Sequence, residues 1–374
     1  MDETACRACG GRTGQLVLDL GEQPACDHFP QHDDPGPDPT YPLQMWLCSS
    51  CCLAQLANDA TVPEEPRGAE PGALVDQAAD AVARVAAAGL LSDKTRVAEY
   101  GSPHGGTWLG LLANRGLIPV YDDGPADVVL DCFGLMHSPD QSAALAQRVA
   151  RVGKGGVLLL QYHALKTIIC SGQWNALRHG HFAYYSTRAL ATMLSKNGFR
   201  PRMAWQFELY GGTVLLAASR DDGARLEPDG SVQSLLTEDA RVGVCNSAVL
   251  HNLQQRARSH ADSLHDWLVA ERLAGNKVLG YGAASRAVAL LRQAKVDRML
   301  LPGVVDASPA KWGRRMPGTD IPIVDPTQLA TDRPKAVLLF LPDLLAEVRA
   351  AYPTVEASAG RWVDAETLGS PPLG

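Results

Sequence analysis

The chain has 374 residues, 46% of them apolar, with 34 Lys and Arg against 41 Asp and Glu and a net charge of −7. That is room for two or three domains with real cores, and it excludes a disordered chain. No Lys/Arg cluster marks a nucleic-acid face and no apolar run reaches the length of a membrane span, so neither nucleic acid nor a bilayer is an expected partner. The acidic, polar start MDETACRACG carries no signal-peptide core, and together with the cysteine spacing it points to a reducing cytoplasm.

Residues 1–58 read as a short, strand-rich module. Cys6-x2-Cys9 and Cys48-x2-Cys51 each set a tight turn that aims two sulfurs at one point. Together they supply four thiolates, the closed tetrahedral set of a structural zinc. Cys52 could stand in for Cys51 in this register. Cys26, Cys132, Cys170 and Cys245 are scattered and read as ordinary thiols. TVPEEPRGAEPG is a Pro/Gly/Glu linker. LVDQAADAVARVAAAGLL then has a helical period, RVAEYG reads as a buried strand, and TWLGLLANRG as the next helix. LIPVY, ADVVLDCF and GGVLLLQYH are further strands, and the alternation predicts a doubly wound, Rossmann-like α/β core over residues 72–220. A long helical stretch from about 233 to 274 leads into NKVLGYGAASRAVALLRQ, LLPGVVDASP and AVLLFLP. These predict a smaller C-terminal α/β domain, residues 232–374 with the leading helix.

The turn EYGSPHGG follows a strand and opens a helix, where glycines let backbone approach a ligand and the helix start favours negative charge. Gly101, Gly105 and Gly106 would cradle a nucleotide-like cofactor, Glu99 would accept from its amine, and Asp122 or Asp123 would take ribose hydroxyls. A purely structural turn fits the same residues. In GYGAASR, Gly280, Gly282 and Ala283 allow close approach, and Ser285 with Arg286 could hold a phosphate. The densest polar run is QWNALRHGHFAYYST, with Asn175, Arg178, His179, His181, Tyr184 and Tyr185 just beyond a strand. Histidine titrates near neutrality and suits proton transfer, and tyrosine can orient a substrate or donate to an oxyanion. His163, after VLLLQY, points to the same sheet edge, whereas His104 and His137 read as isolated structural histidines.

With these motifs in hand, the chain resembles the sugar C-methyltransferases, which methylate nucleotide-linked keto-deoxysugars. CRACG, LVLDLGEQPACDHF and YPLQMWLCSSCCLAQL resemble that family's zinc module and favour Cys51 as the fourth ligand. EYGSPHGG resembles its S-adenosylmethionine turn, HFAYYS its catalytic segment, and GYGAASR with DASPAKWGRRMPGTDIPI its C-terminal domain. The resemblance implies a base at His181 that removes the proton beside the ketone; in the methyltransferase reading of these residues, His179 and Tyr184 or Tyr185 polarise the carbonyl. The chain departs from the pattern in several places. Gly180 stands where the family has glutamate, Arg178 where it has tyrosine, and Pro103-His104 where it has asparagine-aspartate. There is no tyrosine between Tyr41 and Tyr100. Only about 25 residues separate Gly101 from the strand at Asp127, which predicts a missing edge strand and a reduced adenine wall. A methyltransferase is therefore one reading. An epimerase or isomerase that reprotonates the same enolate is a second, with a nicotinamide-dependent reductase as a weaker variant. A non-catalytic partner protein is a third.

Overall fold

The computed structural model describes residues 4–34, 36–61, 71–103, 105–220 and 226–368. Most of the expected linker, and His104, lie outside the described residues. The chain opens with β1 (Gly14–Pro24), β2 (Thr40–Cys48) and β3 (Ala54–Leu56). The central unit contains α1 (Gly72–Ala87), β4 (Arg96–Gly101), α2 (Leu109–Ala113), β5 (Ile118–Pro119), β6 (Ala126–Cys132), α3 (Gln141–Arg151) and β7 (Val152–His163). It continues with α4 (Leu165–Ser171), β8 (Ala183–Tyr184), α5 (Thr187–Lys196), β9 (Phe199–Phe207) and β10 (Thr213–Arg220). Helices α6 (Ser231–Val242) and α7 (Ser247–Leu273) lead to β11 (Val278–Tyr281), α8 (Ser285–Gln293), β12 (Val304–Val305) and β13 (Ile323–Val324). The chain closes with α9 (Thr327–Asp332), β14 (Ala336–Leu339), α10 (Leu345–Ala351), α11 (Thr354–Ala357) and β15 (Arg361–Asp364).

Local chemistry accounts for these boundaries. In α1, Ala78, Ala81, Val82 and Val85 recur at helical spacing and are buried. Three N-caps are set by side chains. The Asp140 carboxylate accepts from the Ala143 N–H at 2.9 Å, the Ser186 hydroxyl from Ala189 at 3.1 Å, and the Asn246 amide oxygen from Ala248 at 3.0 Å. Residues 157–160 of β7 form an apolar run buried between β6 and β10, as an interior strand covered on both faces requires. No helix among the described residues is long and apolar enough to cross a membrane.

The six-stranded central sheet has the order β5-β4-β6-β7-β10-β9, with β10 antiparallel to both its neighbours. It stops at the two-residue β5, where the sequence predicts that an edge strand is lost. The C-terminal sheet is wholly parallel, in the order β13-β12-β11-β14-β15, the doubly wound arrangement expected. The chain reverses direction of winding between β4 and β6 in one sheet and between β11 and β14 in the other. Ligand sites form at such switch points.

Two features cross the boundaries drawn from sequence. The N-terminal sheet has the order β1-β2-β3-β8, so its fourth strand comes from the polar segment of the central unit. Ala54 pairs with Tyr184 and Gln55 with Ala183. One apolar core also runs through Val17 and Leu43 of the first sheet, Leu250 and Leu253 of α7, and Ala287 and Val304 of the C-terminal domain. The reading of Cys245 as an ordinary thiol is corrected. It is disulfide-bonded to Cys52, 193 residues away, with 5.0 Å between the Cα atoms. Proximity that no local pattern encodes brings the α6–α7 turn onto the cysteine turn.

Candidate functional site

The four cysteines of the N-terminal module converge. Their sulfurs all lie within 4.8 Å of one another, with Cys6–Cys51 at 3.5 Å and Cys9–Cys48 at 3.6 Å. A tetrahedral zinc with sulfur at about 2.3 Å has S···S edges of about 3.8 Å, so the set fits that ion. The hydrogen bond from Cys51 pulls the Cys6 thiol down to about 5 and pushes the Cys51 thiol up, so one thiolate is already favoured in the cluster. Cys52, excluded from the set, takes a left-handed backbone (φ 61°) and turns to Cys245.

A cleft of about 360 Å³ lies where the C-terminal edges of the central and C-terminal sheets face each other. On the central side, Ser102, Pro103 and Gly105 of the glycine turn line it, and Gly101 and Gly106 flank them. The turn is pinned to its strand by Glu99, whose two oxygens accept from the Thr107 hydroxyl (2.5 Å) and the Trp108 N–H (2.7 Å). Asp122 lies outside the cleft, past β5, where its carboxylate accepts from the Gly124 N–H at 2.9 Å.

The segment between α4 and α5 supplies the titratable groups. Gly172, with φ 64°, ends α4. Trp174 is then buried, and its indole N–H donates to His260 of α7, whose other nitrogen donates to the Ala365 carbonyl at 2.7 Å. That chain of bonds fixes the start of the segment against the C-terminal domain. The Tyr184 hydroxyl accepts from the Arg178 N–H at 3.0 Å, which closes the loop. Gly180, with φ 77°, lets the chain reverse between them, and its N–H donates to Asp59 at 2.6 Å.

The loop sorts the expected residues onto two sides. His181 and Arg178 line the cleft, with Arg178 Nε 2.9 Å from His181 Nε2 and Arg178 Nη1 donating to the Ser285 hydroxyl at 2.9 Å. Tyr184 also lines it, and burial pushes its phenol up, so it stays protonated. His179 faces the N-terminal sheet: it is buried edge-on to Tyr41, near the Pro42 carbonyl, and burial pulls its imidazole down. Tyr185 points into the core and donates to Gln141. The buried Asn175 amide donates to Glu366 at 2.7 Å and does not reach the cleft.

His163 lines the cleft, pulled down to about 3 by burial and then by the charges of Arg286 and Arg178. It is therefore neutral at physiological pH. Its Nε2 is buried without a hydrogen-bond partner, a polar atom in want of a ligand. On the C-terminal side, Gly282 has φ 89° and the α8 start presents Ser285 and Arg286. Arg286 is 7% exposed and has Glu366 at 3.9 Å.

Several cleft residues escape the sequence reading. His137, read there as isolated, packs edge-on against His181 with ring centroids 4.5 Å apart, and its Nδ1 donates to the Gly180 carbonyl at 3.0 Å. Its position five residues past ADVVLDC, at a sheet edge, is the signal that could have found it. Tyr210 holds φ 56° while facing Arg286 and His163. Asp306, at the end of β12, accepts from the Ala283 N–H at 2.7 Å, and Lys311 donates to the Ala283 carbonyl at 2.8 Å, so both shape the second glycine turn.

Comparison with known proteins adds to this geometry. Residues 6–65 match a zinc binding domain and residues 208–365 match the C-methyltransferase C-terminal domain. The C-methyltransferase NovU of Streptomyces niveus is 23% identical over 379 aligned positions, covering 90% of this chain and 89% of NovU. Among solved structures, the magnesium protoporphyrin IX methyltransferase of Synechocystis with bound S-adenosylhomocysteine aligns with 40% of this chain and 84% of its own, at 15% identity and a TM-score of 0.30. The 1,6-didemethyltoxoflavin-N1-methyltransferase of Burkholderia thailandensis aligns with 46% of this chain and 96% of its own, at 14% identity and a TM-score of 0.29.

Proposed function

We propose that this chain, a methyltransferase of the C-methyltransferase type with that family's zinc-binding and C-terminal domains, methylates the carbon beside the ketone of a nucleotide-linked keto-deoxysugar. One observation carries the reading. His181 lines the cleft between a glycine turn on one wall and a basic helix start on the other. His181 is the base. Neutral His163 offers a hydrogen bond to a sugar hydroxyl, and Tyr184 holds the loop that carries Arg178 and His181. Ser285, Arg286 and Lys311, at the start of α8 and beside it, are the groups for a diphosphate.

The glycine turn fits the methionine end of S-adenosylmethionine. Among the described residues no heavy atom lies within 4 Å of where a Cβ on Gly101 or Gly105 would sit, so backbone is open to a close-lying ligand. Gly101, Gly105 and Gly106 would hold that end, and Asp122 the ribose. When bound, the cofactor supplies an electrophilic methyl group. A second reading rests on the edge of the sheet. Because the sheet stops at β5, the adenine has no further strand beside it, which favours reprotonation of the enolate, an epimerase or isomerase outcome. Calorimetric titration with S-adenosylmethionine and S-adenosylhomocysteine separates the two: saturable binding supports methyl transfer, and its absence in folded, zinc-loaded protein supports the second reading. In either case His181→Asn should abolish turnover. Turnover within a few-fold of the parent would refute the role of His181.

A further inference from the structure

The carbonyl oxygen needs a partner when the neighbouring proton leaves, and the residues named for that task from sequence do not all reach it. His179 and Tyr185 face away from the cleft. The Tyr184 hydroxyl is engaged with both the N–H and the carbonyl of Arg178. Arg178 differs from all three. Its guanidinium has five N–H donors. Nε is used on the His181 ring and one N–H of Nη1 on Ser285. Arg178 lines the cleft, and no carboxylate among the described residues pairs with this cation. Arg286, by contrast, has Glu366 within 3.9 Å. A half-buried guanidinium without a counter-charge is costly until an anion arrives.

We propose that Arg178 is a catalytic residue that holds the enolate oxygen formed when His181 removes the proton beside the ketone. This rests on the reading of His181 given above. The acidic carbon and the carbonyl oxygen are two bonds apart, so a donor alongside the base meets the oxygen while the base meets the proton. The proton passes to His181. The C–H pair becomes the new C=C bond, and the carbonyl π pair moves onto the oxygen, where Arg178 donates. No oxidant or reductant is required. Guanidinium does not give up its proton in proteins, so the intermediate stays an enolate, the more nucleophilic form, and is not quenched to an enol. The 2.9 Å contact is also a latch. In the free protein Arg178 Nε lies against the His181 ring, 2.9 Å from Nε2 and 3.3 Å from Nδ1. An entering carbonyl oxygen takes over that N–H and leaves the ring free to act as base.

The test uses the full-length zinc protein, parent, Arg178→Lys and Arg178→Gln, with matching melting curves and zinc content as the entry criterion. Three quantities are read. One is deuterium incorporation from solvent beside the ketone of a nucleoside-diphosphate keto-deoxyhexose without methyl donor. The second is calorimetric affinity for thymidine diphosphate. The third is the infrared stretch of the bound, 13C-labelled carbonyl. Loss of one oxyanion donor lowers turnover about 10²–10³-fold. The expected result is that loss in kcat for exchange in Arg178→Gln, partial recovery in Arg178→Lys, thymidine diphosphate affinity within threefold of the parent, and a low-frequency carbonyl shift present in the parent and absent in Arg178→Gln. A misplaced base would lower exchange without moving the carbonyl frequency, and that result overturns the proposal. So does loss of thymidine diphosphate affinity with kcat retained, which would make Arg178 a phosphate ligand. If the parent binds thymidine diphosphate and the keto sugar but exchanges no deuterium, the reading of His181 as base fails first and the inference fails with it.

Discussion

Gly180 is the residue through which backbone geometry reaches both cleft histidines. Its φ of 77° is left-handed, which costs an L-residue about 1–2 kcal/mol. A Cβ there would meet only Asp27 Oδ2 at 3.4 Å, an ordinary contact, so sterics add little. The lower chain entropy of unfolded alanine does not offset this where φ is positive. Gly180→Ala should therefore destabilise by about 1 kcal/mol, read from the midpoint of urea unfolding. Its functional effect should be larger. Rotation at this peptide shifts the carbonyl that receives His137 and the N–H that binds Asp59, and with them the loop carrying His181. A shift of about 1 Å at a reacting group costs about 10²-fold, so exchange at the substrate carbon should fall at least tenfold. Gly198→Ala is the control. It has φ 70°, open space around it and an exposed position after α5, so it should cost similar stability and leave exchange intact. The reasoning is refuted if Gly180→Ala is as stable as the parent, or if both variants lose exchange equally. The same geometry implies that Gly180→Glu, which introduces the glutamate of the sugar C-methyltransferases that the chain resembles, will not raise activity, because the backbone here is left-handed.

Three further outcomes follow from other parts of the molecule. Cys6→Ser removes a thiolate from a site whose metal contributes about 10–16 kcal/mol in isolated zinc modules, so the variant should lose zinc, unfold its first sheet and lose turnover; a folded, fully active Cys6→Ser protein would refute structural zinc. Cys245→Ser should cost about 2–4 kcal/mol without loss of zinc, and a non-reduced peptide map of the parent should link residues 52 and 245; two free thiols in the parent would refute the bond. The third concerns pH. His163 has its imidazole pulled from 6.5 to about 3 in the folded state, so between those values the unfolded chain binds the extra proton. Its neutral form then contributes stability that is present above about 6.5 and lost as pH falls towards 3. His163→Gln should flatten that part of the stability–pH curve, and an unchanged slope would contradict the assignment.

Much of this architecture is legible locally. The paired cysteines announce the metal cluster because their spacing alone fixes the geometry of each turn. The apolar strands and their glycine ends announce two doubly wound sheets, and a count of residues between Gly101 and Asp127 anticipates where the central sheet stops. What sequence does not carry is orientation within irregular backbone. His179 and His181 are two residues apart, and only a left-handed glycine between them decides that one faces Tyr41 and the other the cleft. His137 lies more than forty residues from His181 in sequence and meets it only by packing at the sheet edge. The Cys52–Cys245 bond and the joining of Ala183–Tyr184 to the first sheet depend on contacts far along the chain, which no periodicity reports.

That last pairing has a consequence for the order in which the protein can be made. Strand β3 leaves the ribosome with its outer edge open, and the two residues that cover it are synthesised more than a hundred positions later. In the interval the metal cluster holds the first sheet in shape with a bare hydrogen-bonding edge, a form prone to pair with other chains. The segment that shields that edge also bears His181. Shielding and assembly of the cleft are therefore a single late event, and a nascent chain gains protection from aggregation at the moment it acquires its base.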